Sequence, residues 1–274
     1  MIVDAHFHCW QLARGDYGWL SPALAPIHRD VHIADWRAEA VPCGVHGGVL
    51  VQAAPTEAET EFLLAQAESE GAVLGVVGWV DLLAPDAPAR IARLAARPKL
   101  KALRPMLHDL PDPHWMLQPA LAPALRAMVD HGLAFDALVR PVHLAPLLQF
   151  CLRHPRLRVV VDHGAKPDIA AAAWQPWADA LARIAAQTQA VCKLSGLLTQ
   201  AGPSAQPQAT RRWARHVLGC FGADRVVWGS DWPVLQLAGS YAAWWGETQA
   251  TLEALGPVER AAVLGGTARR VYRL

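Results

Sequence analysis

Met1-Ile2-Val3-Asp4-Ala5-His6-Phe7-His8 opens the chain as an apolar run ending in two histidines one residue apart. If this run is a β-strand, its side chains alternate between two faces, so Asp4, His6 and His8 share one side and two imidazoles converge at one strand end. Many catalytic metal sites begin with such a pair, because neutral imidazole is a common nitrogen ligand and a rigid strand keeps two of them together. An equally open reading makes both histidines plain polar residues bonded to nearby backbone. What the pair means depends on what the rest of the chain places beside it.

Short apolar runs of the same kind recur at residues 47–52, 73–80, 100–105, 134–140, 157–163, 190–196 and 225–231. Each is too short and too rich in valine and leucine to be a lone helix, and each reads as a buried strand. Between them lie helical segments at 33–44, 56–71, 85–96, 120–132, 144–154, 174–187 and 210–221, with terminal helices at 240–255 and 257–272. Thr56 and Glu59 have capping-box spacing at the start of the second segment. Residues 9–32, with Trp10, Tyr17, Trp19, Pro22 and Pro26, are too proline-rich for a regular element, and residues 106–115 form a second loop of aromatic and histidine character.

Continuous apolar strands alternating with helices indicate parallel β-α units. Eight such units in 274 residues fit a (β/α)8 TIM barrel, and the Gly-x-Gly-x-x-Gly first turn of a dinucleotide-binding open sheet is absent. No linker divides the chain, so a single domain over 1–274 is expected.

Composition narrows the function. A hydrophobic fraction of 53% is ample for a barrel core, and a net charge of +1 offers nothing to a polyanion, which leaves a small molecule rather than nucleic acid as the expected partner. The five cysteines are scattered without a Cys-x-x-Cys pair, so neither disulfides nor a cysteine zinc site is expected. No signal-peptide pattern opens the chain and no apolar stretch is long enough to span a membrane, which points to the cytoplasm. The oligomeric state is not legible.

In a barrel, chemistry collects at the C-terminal ends of the strands. Strand one delivers His6 and His8, strand three Trp79 and Asp81, and strand four Lys101 and Arg104. Strand five delivers Arg140 with His143 beyond it, strand six Asp162, His163 and Lys166, strand seven Lys193 and Ser195, and strand eight Trp228 and Asp231. Only four lysines occur in the chain, Lys99 being the other, and three of them fall in this set. Charges at the close of apolar strands carry a desolvation cost that a structural role does not easily offset. Asp231, followed by Trp232 and Pro233, can ligate a metal or take a proton from an attacking water. Trp79, Trp232, Arg140 and His143 are expected substrate contacts beside Lys101, Arg104 and Lys166. His28, His32, His46, His108, His114, His131, His154 and His216 are assigned to the surface.

Val3-Asp4-Ala5-His6-Phe7-His8, Asp162-His163-Gly164-Ala165-Lys166-Pro167, Lys193-Leu194-Ser195-Gly196 and Trp228-Gly229-Ser230-Asp231-Trp232-Pro233, in register with strands one, six, seven and eight, resemble the motifs of the amidohydrolase superfamily. The likeness is to its amidohydrolase-2 branch and, within that, to lactonases of the L-fuconolactonase and 2-pyrone-4,6-dicarboxylate lactonase kind. The resemblance implies a hydrolase acting on a sugar-acid or carboxylated lactone, with Asp231 activating water. It makes His6, His8 and His163 either ligands, with Asp231, of one divalent metal, zinc first, or contacts to the lactone carbonyl in metal-free catalysis. Lys101, Arg104 and Lys166 would hold ring substituents. Strand four offers no carboxylate, so a binuclear centre is not expected; Thr267 stands where relatives commonly have Asn. Two alternatives remain: a metal-dependent decarboxylase of a small acid, and a barrel that only binds one. Ring specificity is expected in the loops after strands one, four and eight.

Overall fold

A computed structural model describes residues 1–274. The eight strands are β1 (Ile2–Phe7), β2 (Val45–Val51), β3 (Val73–Gly78), β4 (Leu100–Leu103), β5 (Ala134–Ala137), β6 (Val159–Val161), β7 (Val191–Leu194) and β8 (Val226–Trp228). They pair in parallel and in chain order, β1 to β8, as one sheet. The sheet closes on itself just beyond β8, where the Asp231 amide donates to the His6 carbonyl at 2.8 Å and the His8 amide to the Trp232 carbonyl at 2.7 Å. The expected (β/α)8 barrel is the fold, and its closing bonds run through the segment that carries Asp231.

The helices are α1 (Ile33–Ala40), α2 (Glu57–Ser69), α3 (Ala87–Ala95), α4 (Ala122–Asp130), α5 (Leu144–Arg153), α6 (Trp177–Gln187), α7 (Leu197–Ala201), α8 (Arg211–Phe221), α9 (Tyr241–Thr251), α10 (Pro257–Ala261) and α11 (Thr267–Tyr272). No helix is long and apolar enough to cross a membrane. The expected last helix, 257–272, is interrupted by a wide turn at Ala262–Gly266, so α10 and α11 are separate. A Cβ on Gly265 would stand 2.5 Å from the Met1 carbonyl, so this turn can lie against the start of β1 only as glycine. Thr267 donates to the carbonyls of Ala223 and Asp224, at 3.3 and 3.2 Å.

Small side chains line the barrel interior: Val3, Ala5, Val49, Val51, Val77, Ala102, Ala134, Val160, Val191 and Val227 pack with Ala268, Val271 and Tyr272 of α11, which plugs the bottom. A larger apolar layer fills the space between strands and helices. At α2 the cap is half of what the spacing suggests. The Thr56 hydroxyl accepts from the Glu59 amide at 3.0 Å, but the Glu59 carboxylate turns to the Ala53 and Ala54 amides after β2.

Candidate active site

β1 does not alternate evenly. Asp4 pairs with Gly48 and Phe7 with Leu50, so β1 carries one residue more than β2 across this interval, a β-bulge. The bulge separates Asp4 from the histidines, contrary to the expectation of a shared face. Asp4 faces the helices, accepting from Trp36 Nε1 of α1 at 2.9 Å and from the Tyr241 hydroxyl of α9 at 3.1 Å. It also takes the Ser230 amide and hydroxyl, at 2.8 and 2.6 Å, and so fixes the backbone next to Asp231. His6 and His8, two residues apart beyond the bulge, remain together with their Nε2 atoms 3.2 Å apart.

After β6 the chain makes a left-handed turn: φ is 54° at His163, 57° at Gly164, 64° at Ala165 and 47° at Lys166. Three of these are not glycine, and each left-handed residue costs roughly 1–2 kcal/mol, so the surrounding structure must hold the turn. The Trp177 indole donates to the Gly164 carbonyl at 2.8 Å, and the Lys166 amide to the His163 carbonyl at 2.9 Å. The turn brings His163 and Lys166 to the same cavity.

The carboxylate Oδ1 of Asp231 stands 3.6 Å from His6 Nε2, 3.5 Å from His8 Nε2 and 3.8 Å from His163 Nε2. Burial alone would raise the Asp231 pKa, but His163, the hydrogen bond with His8 and the Lys166 ammonium outweigh it and bring it down to about 2. Burial pushes the His163 pKa down to about 4 despite the neighbouring carboxylates of Asp231 and Asp162. An ionised, buried Asp231 and a neutral His163 therefore coexist near neutral pH. The remaining ring nitrogens are held from behind: His8 Nδ1 on the Val51 carbonyl at 2.8 Å, His163 Nδ1 on the Ser195 hydroxyl at 2.9 Å, and His6 Nδ1 beside Lys193 Nζ at 3.2 Å. Lys193 is fully buried; burial would strip its proton, but Asp136 and Asp162, at 2.6 and 2.9 Å, hold its pKa above the ordinary value.

His6, His163 and Asp231 each offer a ligand atom within 4.8 Å of the others. Tetrahedral ligands at zinc bond lengths stand roughly 3.3–3.4 Å apart. The distances from Asp231 to His6 and His163, 3.6 and 3.8 Å, approach that spacing, so these three residues fit one divalent ion with little movement; His8, 3.2 Å from His6 and 3.5 Å from Asp231, stands beside them outside that group.

Above this cluster opens a cavity of about 290 Å³, lined among others by His8, His163, Asp231, Arg104 and Lys166. Its walls come from the loops expected to carry specificity: Trp19 and Leu24 after β1, Met106, His108 and Asp109 after β4, Val234 and Leu237 after β8. Arg104 is buried, bonded through Nη2 to Gln52 Oε1 at 2.8 Å, with Nη1 3.6 Å from Asp162.

Five expected contacts lie away from this cavity. Lys101 lies near the start of β4, not its end, and its Nζ donates to the Arg273 carbonyl at the barrel bottom at 3.0 Å. His143 is buried, and its Nδ1 accepts from the Arg140 amide at 3.1 Å, closing a turn rather than facing the cavity. Trp232 is buried where β8 meets β1, and Trp79 borders a neighbouring cleft with Asp81 and Trp115. Arg140 is exposed and lines the next cavity. Conversely, His108, assigned to the surface, lines the site, 3.1 Å from Lys166 Nζ through its Nδ1. The signal available for it was its place in the histidine- and aromatic-rich loop after strand four.

The amidohydrolase family model matches residues 3–274. A Burkholderia ambifaria protein named L-fucono-1,5-lactonase is 47% identical, over 99% of this chain and 95% of its own length. A Burkholderia multivorans protein of the same name is 34% identical, over 99% of this chain and 96% of its own. Among solved structures, an amidohydrolase from Burkholderia multivorans is similar at 32% identity, covering 100% of this chain and 99% of that one. Its TM-score is 0.94 for the form with bound HEPES and 0.93 for the form with bound zinc.

Proposed function

The chain belongs to the amidohydrolase family and is a hydrolase, and from this premise we propose that it opens a small sugar-acid lactone, L-fucono-1,5-lactone first. The observation that carries this reading is the ionised Asp231 carboxylate ringed by three imidazole nitrogens at 3.5–3.8 Å, beside a cavity with Arg104 and Lys166 on its walls. Lactone opening needs a water nucleophile, a base for its proton and positive charge at the developing oxyanion, and each has a residue here. Leu24, Met106, Leu138, Val234 and Leu237 add an apolar wall suited to the methyl group of a 6-deoxy sugar acid.

In this mechanism Asp231 accepts a proton from the water whose oxygen attacks the lactone carbonyl carbon. Arg104 and Lys166 face the oxyanion and the ring hydroxyls. When the intermediate collapses, the bond from carbonyl carbon to ring oxygen breaks and the proton on Asp231 passes to that oxygen, giving the open hydroxy acid. His163, held by Ser195, and the His6–His8 pair orient the carboxylate and the carbonyl. His6, His163 and Asp231, with His8 beside them, would also hold a single zinc ion, which when bound supplies Lewis-acid polarisation of a carbonyl or water oxygen. The support for zinc is the ligand spacing and the zinc-bound relative.

One barrel domain over residues 1–274 and a cytoplasmic setting belong to the same reading; five free cysteines suit a reducing compartment. The decarboxylase alternative is not favoured, since the Burkholderia relatives at 47% and 34% identity are named as lactonases. The test is acid release from L-fucono-1,5-lactone and from a panel of aldono-lactones. Turnover is the expected result; carbon dioxide release from small acids with no lactone turnover overturns it.

A further inference from the structure

A second cavity, of about 570 Å³, adjoins the first and shares His108 and Lys166 with it as walls. Arg140, Asp168, Gln175 and Gln200 bound its far side. The Arg140 guanidinium is exposed, with no ion pair or hydrogen bond in the fold, so its five donors are free for a ligand in this cavity. Lys166 is paired only with the uncharged acceptor His108 Nδ1, at 3.1 Å. Asp168 is the one carboxylate on these walls, and its Oδ1 is already engaged by the Ala171 amide at 3.0 Å. Two cations therefore flank a polar cavity one side chain away from Asp231: Lys166 feels the Asp231 carboxylate on its other side, and Arg140 has no anion of the protein within ion-pair distance.

We propose that this second cavity is a subsite for an anionic group, a carboxylate or a phosphate, carried on the chain that extends from the lactone ring. The inference rests on the lactonase reading for the ring itself. With the carbonyl at Asp231, a substituent that passes over the wall formed by the bonded His108 and Lys166 enters the cavity bounded by Arg140, whose planar fork binds carboxylate and phosphate through two parallel hydrogen bonds. Lys166 then contacts the ring on one side and the anion on the other. Neutral lactones such as L-fucono-1,5-lactone leave this compartment to water.

Two pairs of lactones matched in ring size test it: D-glucono-1,5-lactone against 6-phospho-D-glucono-1,5-lactone, and D-glucono-1,4-lactone against D-glucaro-1,4-lactone. The expected result is a kcat/KM ratio of about tenfold or more in favour of the anionic member of at least one pair, cut by about tenfold in Arg140→Met and further in Arg140→Glu. Preference in the first pair alone assigns phosphate; in the second alone, carboxylate. Equal rates within both pairs, or a preference that survives Arg140→Glu, overturns the proposal. Binding of 6-phospho-D-gluconate and of D-glucarate, each against D-gluconate, read by calorimetry, needs no turnover. Binding that favours either doubly anionic acid and depends on Arg140 keeps the subsite even if the ring chemistry is wrong. Equal, weak binding of all three acids removes it even if neutral lactones are opened.

Discussion

Lys193 Nζ lies 3.2 Å from His6 Nδ1 while bonded to Asp136 and Asp162 at 2.6 and 2.9 Å, so a fully buried ammonium couples two carboxylates in the barrel interior to the first histidine of the site. Because an ammonium can only donate, His6 Nδ1 accepts, and the proton of neutral His6 sits on Nε2, facing His8, where a bound metal ion would replace it. The Tyr272 hydroxyl completes the group by donating to Asp136 at 2.7 Å. Lys193→Met leaves buried Asp136 without its cation and Asp162 with Arg104 alone, at 3.6 Å. It is expected to cost about 3–5 kcal/mol of stability, and Asp136→Asn in the same chain to recover part of it. Denaturant unfolding of the two variants checks this; equal stability of Lys193→Met and the parent chain would remove the coupling.

Asp231→Asn keeps size and hydrogen-bonding shape but removes the proton acceptor. Its kcat on a lactone substrate should fall by about 10²–10⁴-fold, the usual worth of a general base, with KM changed far less. Steady-state kinetics reads both numbers. A loss confined to KM would make Asp231 a binding group and shift the base elsewhere.

The pH profile follows from the same environment. Asp231, with its pKa near 2, is ionised throughout the working range, and His163 protonates only as pH falls through about 4. Gaining that proton draws the Asp231 carboxylate into an ion pair and lowers its basicity, so kcat/KM should be level above about pH 5 and decline in acid. Lys166 is pushed below the ordinary lysine range, chiefly by burial and also by Arg104 and Arg140, so an alkaline decline should begin earlier than for a free lysine. An activity that rises through pH 6–7 would contradict this assignment and point to a histidine as the base.

Zinc binding provides an independent reading of the cluster. One ion per chain is expected, measured by elemental analysis and by competition with a chromophoric chelator. His163→Gln should weaken it by more than about tenfold, because it removes a ligand whose orientation Ser195 already fixes at 2.9 Å. His143→Gln, at a residue that closes a turn away from the cavity, should leave the affinity unchanged.

What the sequence made legible is the set of strands and which residues close them. Runs such as Val159–Val161 and Val226–Val227 read as strands because they are short and β-branched, and a barrel gathers strand ends whatever the helices do. What it hid are local departures from regular geometry. The extra residue between Asp4 and Phe7 leaves no mark in the alternation of apolar and polar side chains, yet it turns Asp4 from the site to the helices. A left-handed turn that includes Ala165 and Lys166 is paid for by tertiary contacts such as Trp177 to Gly164, which no local pattern encodes. Lys101 was misplaced because a charge on a strand announces desolvation without saying which end of a four-residue strand it occupies.

Gly196 tests how tightly the strand-seven motif supports the site. Its φ is +65°, and a Cβ built there would stand 2.6 Å from His163 Nδ1, so any side chain meets both backbone strain and the imidazole. Gly196→Ala is expected to cost about 1–2 kcal/mol from the backbone alone. More tellingly, it should displace His163 from Ser195 and lower kcat by a larger factor than the stability loss explains. Ala substitution at Gly15, where φ is +74° and a Cβ meets nothing within 4 Å, is the control matched in backbone and should leave kcat intact. Unfolding curves and kcat on the same preparations separate the two effects. If kcat in Gly196→Ala falls no further than the folded fraction does, the contact with His163 is packing only and the Ser195–His163 bond does not position the ring.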